Sequence, residues 1–347
     1  MINVGIVGIG FMGMIHYLAY QKVRGAKVRA ICSRDAAKRA GDWRGIKGNF
    51  GPEGTQMDLG GVAAYESLDA MMADPKIDLV DICLPPAMHA TATVAALSAS
   101  KHAVCEKPMA LAVADADRMV DAARKAGKLL FVGHVLPFFP EYAFAYQAVR
   151  QRTYGELLGA RFKRIISNPL WIKDFYDARR VGGPVIDLHV HDAHFIRLLC
   201  GMPRAVCSRG RMRGRVVEFL DTQFVFADHR PTITATSGVI DQQGRPFTHG
   251  FELHFERATL LYDFSVIAGQ PALSMPLSIL TSDGKVIRPR LGSADPVDAF
   301  VDELGEVSRA IAKGRASPLL GAELARDALR LCHAQTRSVR SGRHVKL

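Results

Sequence analysis

The sequence has no pair of cysteines at C-x-x-C spacing. Its six cysteines, Cys32, Cys83, Cys105, Cys200, Cys207 and Cys332, are scattered and sit mostly among apolar residues. This argues against a zinc or disulfide framework and reads as buried free thiols in a reducing cytosol. No apolar run is long enough to span a bilayer, so no membrane helix is expected. Met1 leads almost directly into "INVGIVGIG", which reads as a structural strand and not as a secretory leader. The expected location is the cytoplasm. There is no internal repeat and no low-complexity tail.

Acidic charge is in deficit, and the formal net charge is +11. Nucleic acid is the first partner such a balance suggests. The densest basic run, "RGRMRGR" (Arg209–Arg215), nevertheless has no interleaved aromatics for base stacking. Its arginines alternate, as on the wet face of a strand. A solvated sheet face or a preference for anionic ligands accounts for the charge, and neither nucleic acid nor membrane is expected as a partner.

What is present is an ordinary globular composition, 48% hydrophobic and 23% charged, over 347 residues. That length exceeds what one core usually organises, so two domains are expected. The first third alternates short apolar runs ("NVGIVG", "KVRAIC", "DLVDICL", "HAVCEKP", "KLLFVGH") with helical segments such as "MHATATVAALSAS" and "AVADADRMVDAARKAG". This is the pattern of a parallel, doubly wound α/β sheet. The stretch Gly41–Gly61 carries seven glycines and no clear period, and reads as a long surface loop. Beyond about residue 135 strand-like alternation dominates ("LLGARFKRII", "DTQFVFA", "TITATSGVI", "FELHFE", "ATLLYDFSV"), which predicts an α+β domain with a mostly antiparallel sheet and few helices. The last fifty or so residues are helical again. The expected division is 1–134 and 135–347, with the C-terminal helices able to pack back toward the first domain.

"VGIVGIGFMG" places Gly8, Gly10 and Gly13 in G-x-G-x-x-G, after an apolar strand and at the opening of a helix. In that setting the first glycine allows the tight turn, the second lets backbone approach a pyrophosphate, and the third lets helix and strand pack closely. The helix amino terminus then faces the negative charge. The second strand ends in "AICSRD", with Ser33 and Arg34 where a ribose-binding carboxylate is usual. A hydroxyl and a guanidinium, with Lys38 and Arg39 nearby, suit a 2′-phosphate. This favours NADP over NAD, although Arg34 stacking on an adenine would also fit NAD.

"HAVCEKPMAL" ends a strand with Glu106, Lys107 and Pro108 at the carboxyl edge of the sheet, where ligands bind in open α/β folds. Together with the glycine turn and a later "GGP…D…H", this combination resembles the Gfo/Idh/MocA oxidoreductases, the family of glucose–fructose oxidoreductase and inositol dehydrogenase. The resemblance runs almost end to end, through "SVRSGRHVKL". It implies a Rossmann domain followed by an open-faced antiparallel sheet, through which members commonly form homodimers or homotetramers. It also implies oxidation of a sugar, cyclitol or related alcohol with NAD or NADP. The family lysine maps to Lys107, and the family Asp-x-x-x-His pair to Asp187 and His191. The cofactor-binding set implied is Gly8, Gly10, Phe11, Met12, Gly13, Ser33, Arg34, Lys38, Leu84, Pro85, His89, Glu106 and Lys107.

The pair lies in "DLHVHDAH" (Asp187–His194). Gly182-Gly183 make a turn, Pro184 suits a first helical position, and Gly201 marks a stop, so a helix is expected. At about 100° per residue, Asp187, His191 and His194 fall within about 60° of one another and His189 points away. That face offers an imidazole to take a hydroxyl proton and a carboxylate to orient it, with Lys107 stabilising alkoxide charge. His194 stands where family members often have a second aspartate, and His134 where an asparagine or similar polar residue is common in the family. Asp187, His191, His194 and His134 could alternatively ligate a divalent metal, though hydride transfer needs none. His16 could touch the nicotinamide side or cap the domain interface. His89 could touch cofactor or lie at the surface. Trp171 could roof the substrate or belong to the core. The substrate-binding set is thus Lys107, His134, Trp171, Asp187, His191 and His194. The reading is an NAD(P)-dependent dehydrogenase or reductase acting on CH–OH groups. Its rivals are transient oxidation serving elimination, epimerisation or glycoside cleavage, and a non-catalytic sensor on the same fold.

Overall fold

The computed structural model describes residues 1–48, 50–172, 174–227, 231–293 and 295–347. The chain divides into two compact units: Met1–Phe139 with Ser293–Arg326, and Pro140–Gly292 with Asp327–Leu347.

The first unit begins with β1 (Ile2–Val7), α1 (Phe11–Tyr20), β2 (Ala26–Cys32), α2 (Ala36–Arg39), β3 (Ala63–Tyr65) and α3 (Leu68–Met72). It continues with β4 (Leu79–Ile82), α4 (Pro86–Ser98), β5 (His102–Glu106), α5 (Val113–Ala126) and β6 (Leu130–Gly133). The strands are all parallel and lie in the order β3-β2-β1-β4-β5-β6. That is the doubly wound order, with the crossover from β1 to β4 opening a ligand crevice at the carboxyl ends. β4 and β6 are buried from end to end, which is why they read as short apolar runs, with Asp81 set inside β4, and not as alternation.

The long segment 41–61 departs from expectation. It is not merely a surface loop: Trp43 is fully buried, meets Tyr17 edge-on at 5.0 Å, and donates its indole N–H to the Lys38 carbonyl at 2.9 Å. Burying so large a ring outweighs the glycine-rich character of its flanks.

The second unit contains α6 (Pro140–Arg150), β7 (Leu157–Ser167), a π-helical turn (Val185–His189) and α7 (Val190–Cys200). There follow β8 (Ala205–Arg213), β9 (Val216–Val225), β10 (Thr232–Ile240), β11 (Phe247–Phe255), β12 (Ala258–Ile267), β13 (Gln270–Thr281), β14 (Val286–Ile287) and β15 (Val345–Lys346). The order is β14-β13-β12-β11-β7-β10-β9-β8-β15. Every pairing is antiparallel except β7 with β10, where Gly159 faces Thr232 in parallel register. On β8 the arginine run is a solvated strand, as its alternation suggested. Arg211 and Arg213 both pair with Glu218 on β9, at 2.7 and 3.0 Å.

The chain then supplies α8 (Pro296–Ala312) to the first unit, and the boundary between units falls within α9 (Ala322–Ser341). Asp295 caps α8 by accepting from the Val297 N–H at 2.9 Å. Its apolar face, Val297, Phe300, Leu304 and Val307, joins the same buried cluster as Ile15, Tyr17 and Tyr20 of α1. Among the described residues no helix is long and apolar enough to cross a membrane.

Candidate active site

In the first unit the three glycines perform three different tasks. Gly8 has φ +94°, and a Cβ there would lie 2.7 Å from the Cys83 carbonyl oxygen. A Cβ on Gly13 would lie 2.1 Å from the Gly8 oxygen, so only glycine lets α1 sit so close to the strand turn. At Gly10 a Cβ would meet nothing within 4 Å, so the missing side chain leaves the backbone open to a ligand. Gly10 is also the N-cap of α1, and the first turn carries no acidic residue to neutralise the positive helix end. This cradle fits a dinucleotide pyrophosphate. Phe11 and Met12 begin the helix; the Phe11 ring packs edge-on against Phe50 at 4.9 Å, so toward a pyrophosphate it offers backbone.

At the end of β2, Asp35 is spoken for. Its Oδ1 accepts from the Ala37 and Lys38 N–H groups at 2.9 and 3.3 Å and caps α2. Ser33 is half-buried; its carbonyl accepts from Arg39, and its Oγ accepts from the Asp35 N–H. Arg34 is exposed and has no ion pair among the described residues. The loop therefore offers a guanidinium, not a carboxylate.

At the next turn, Leu84 packs near Gly8 and Pro85 is the N-cap of α4. His89 is buried, not at the surface. One ring nitrogen lies 2.8 Å from the Pro108 carbonyl and the other 2.7 Å from that of Leu84. Burial lowers its pKa, against the two carbonyls that favour its charged form. Its visible task is to brace the Leu84–Pro85 loop against the Glu-Lys-Pro turn. Lys107 follows β5, half-buried, and its N–H donates to Glu106 Oε2 at 3.1 Å. His134 is buried at the end of β6.

His16 is fully buried within the first unit. Its Nδ1 is 2.8 Å from Asp81 Oδ2, and its Nε2 is 3.1 Å from Glu106 Oε1. Among the described residues, metal-type donors approach one another within 4.8 Å in two groups, His16–Asp81–Cys83 and His16–Glu106–Glu303. Neither contains Asp187, His191, His194 or His134. Asp81 and Glu303 were missed by sequence reasoning. Asp81 was visible as the acid between the apolar pairs of "LVDIC"; Glu303, on an ordinary amphipathic helix, was not.

In the second unit the Gly-Gly-Pro turn is obligatory. Gly182 and Gly183 have φ +91° and +78°, and a Cβ on Gly183 would lie 2.6 Å from the Val216 side chain. The expected α-helix begins differently, as a π-turn over Val185–His189 that contains Asp187, and becomes α-helical at Val190. Regular α-helical angles therefore do not hold between Asp187 and His189. An i→i+5 turn of this kind commonly marks a functional segment.

Two residues of this segment are tied to the sheet side. His189 Nε2 accepts from Gln335 on α9 at 2.8 Å, and burial pushes its pKa down to about 4. Asp192 receives Arg164 of β7 in a bidentate pair, at 2.7 and 3.1 Å, with both side chains buried. With His189 and Asp192 so held, Asp187 and His191 remain half-buried on the segment. His194 is fully buried and does not share their exposure. Trp171 is 66% exposed and is not part of the core. Sequence reasoning missed Arg164, Asp192 and Gln335 as anchors.

Residues 2–134 match the model of an oxidoreductase family with an NAD-binding Rossmann fold, and residues 142–261 match the C-terminal domain of the same GFO/IDH/MocA family. Myo-inositol 2-dehydrogenase of Thermotoga maritima is 29% identical over 199 residues, covering 57% of this chain and 55% of the relative. 1,5-Anhydro-D-fructose reductase of Ensifer adhaerens is 29% identical over 203 residues, covering 56% and 60%. The matched stretches thus span little more than half of these curated relatives. A levoglucosan dehydrogenase structure, in complex with NADH and levoglucosan, superposes with a TM-score of 0.80 at 20% identity, covering 99% of each chain, and speaks to the fold. From its glycine cradle, its Glu-Lys-Pro turn and both matched domains, the chain belongs to the GFO/IDH/MocA oxidoreductase family.

Proposed function

We propose that the protein is an NAD(P)-dependent dehydrogenase or reductase acting on a CH–OH group of a sugar, cyclitol or related polyol or sugar acid. One observation carries the reading. The chain keeps a glycine cradle with Lys107 at the same sheet edge, and it spends a buried ion pair and a buried histidine on holding the segment of Asp187 and His191. The bound nicotinamide supplies the hydride acceptor or donor. Lys107 stabilises negative charge developing on the substrate oxygen. His191 takes the hydroxyl proton on an imidazole nitrogen, and Asp187 orients it. The dehydrogenase and reductase names of the relatives support this chemistry. The test is a panel of sugars, cyclitols and sugar acids with both cofactors, followed by reduced-nicotinamide absorbance. Tight cofactor binding with no absorbance change across the panel would overturn a net redox reaction.

The exposed Arg34 supports NADP as the preferred cofactor. NADPH is expected to bind more tightly than NADH, and Arg34→Asp to reverse the order by setting a like charge against the 2′-phosphate. A wild-type preference for NADH of about tenfold, roughly 1.4 kcal/mol, would sink this assignment. The six free cysteines support a reducing, cytoplasmic setting; disulfides found in protein purified without reductant would count against it. Exposed Leu273, Leu280, Val286 and Ile287 at one end of the large sheet support a homodimer or homotetramer formed through that sheet. A monomeric mass by light scattering at micromolar concentration would refute the assembly.

A further inference from the structure

Beneath the Glu-Lys-Pro turn of the first unit lies a buried acidic cluster that the proposed chemistry does not use. His16 and Tyr20 reach it from α1, Asp81 and Cys83 from the β4 end, Cys105 and Glu106 from β5, and Glu303 from α8. Lys107 is the adjoining residue in the turn. Three carboxyl groups thus share one imidazole. Asp81 is matched by His16 Nδ1 at 2.8 Å, which leaves the opposite nitrogen toward Glu106 Oε1 at 3.1 Å. Room for that carboxyl is made by Gly133 of β6, where a Cβ would stand 2.7 Å from Glu106 Oε1. Glu303 is fully buried, and neither of its oxygens has a hydrogen-bond partner among the described residues. Within the cluster its acidic neighbour is Glu106, whose Oε1 also lacks a well-aligned hydrogen bond.

A buried ionised carboxylate without a partner is strongly disfavoured; it takes up a proton instead. We propose that Glu303 is a positioning residue: a neutral carboxylic acid that shares its proton with Glu106 and so, with His16, fixes the carboxyl that orders the Lys107 backbone. The importance of Lys107 rests on the proposed function; the protonation and ordering of the turn do not. Burial, then the Glu106 charge, raises the Glu303 pKa well above 4.5, against the pull of His16. For His16, burial lowers the pKa, but Asp81 and then Cys83 more than offset it and hold it well above 6.5.

Both groups bind more protons folded than unfolded. Glu303 therefore costs stability progressively above pH 4.5, and the stability from His16 is full below 6.5 and lost as the pH rises through its folded value. Three measurements on the full chain test this without any substrate. Infrared spectra at neutral pH should show a protonated carboxyl stretch that Glu303→Gln abolishes. Melting temperature should fall between about pH 5 and about pH 9, with a shallower slope in Glu303→Gln. Hydrogen exchange at the Lys107 backbone amide, read by peptide mapping, should speed several-fold in Glu303→Leu, with Glu303→Gln restoring the slower rate.

An unchanged infrared band and an unchanged pH slope in Glu303→Gln would overturn the protonation. Identical Lys107 exchange rates in all three proteins would overturn the positioning role. One divalent metal per chain, lost in Glu303→Gln, would overturn both and make the cluster a metal site.

Discussion

His191→Ala is expected to lower turnover by roughly 10²–10⁴ with cofactor affinity little changed, because the proposed proton acceptor is lost. Lys107→Ala should lose a comparable factor, through alkoxide charge no longer stabilised. His189→Ala supplies the control, two positions away and chemically identical. His189 is buried and accepts from Gln335, which also donates to Thr222, so its removal orphans one amide N–H and should cost about 1–3 kcal/mol of stability without a comparable loss in rate per folded molecule. Rates must therefore be normalised to folded protein, by circular dichroism or cofactor titration. A larger loss of turnover at His189 than at His191 would refute the assignment of the reacting face.

Asp192→Leu should destabilise the second unit by about 3–5 kcal/mol. The Arg164 guanidinium would stay buried with no opposite charge. For a unit of this size that corresponds to a melting shift of roughly 6–20 °C. Arg164→Met alone should cost a similar amount by orphaning the carboxylate. The double variant Arg164→Met/Asp192→Leu should recover most of the loss, since paired removal of a buried ion pair is often close to neutral. Calorimetry of the three variants closes the cycle. Near-additive losses in the double variant would mean that the pair does not act as a unit.

These two experiments probe features of different legibility. The glycine cradle was readable because each glycine answers a local steric demand, and short apolar runs between amphipathic helices admit few architectures. The segment of Asp187 and His191 was readable as helical, but its π-turn was not: an inserted residue in the ladder leaves the flanking Gly-Gly-Pro and Gly201 signals unchanged. Strand β13 escaped because Pro271 and Pro276 interrupt its pattern, and its pairing with β12 is irregular. The helix α6 was hidden in a region dominated by alternation. Trp43 was hidden by the glycines around it. Arg164–Asp192 and His16–Glu106–Glu303 join residues far apart in sequence, and only folding brings them together. Burial along the segment was not readable either: His194 is enclosed, whereas Asp187 and His191 are half-buried.

Because α8 belongs to the first unit, that unit has a timetable. Phe300, Leu304 and Val307 complete a core begun by β1 and α1, Lys22 pairs with Asp298 at 3.0 Å, and Ser308 donates to the Arg24 carbonyl at 3.2 Å. On the ribosome, the interval between β6 and the end of α8 occupies roughly 10–35 s of synthesis. Throughout that interval the apolar side of α1 has no α8 to cover it. A nascent chain carrying the whole parallel sheet is thus still unfinished, and a fragment ending after β6 should bind chaperones and aggregate where the full chain does not.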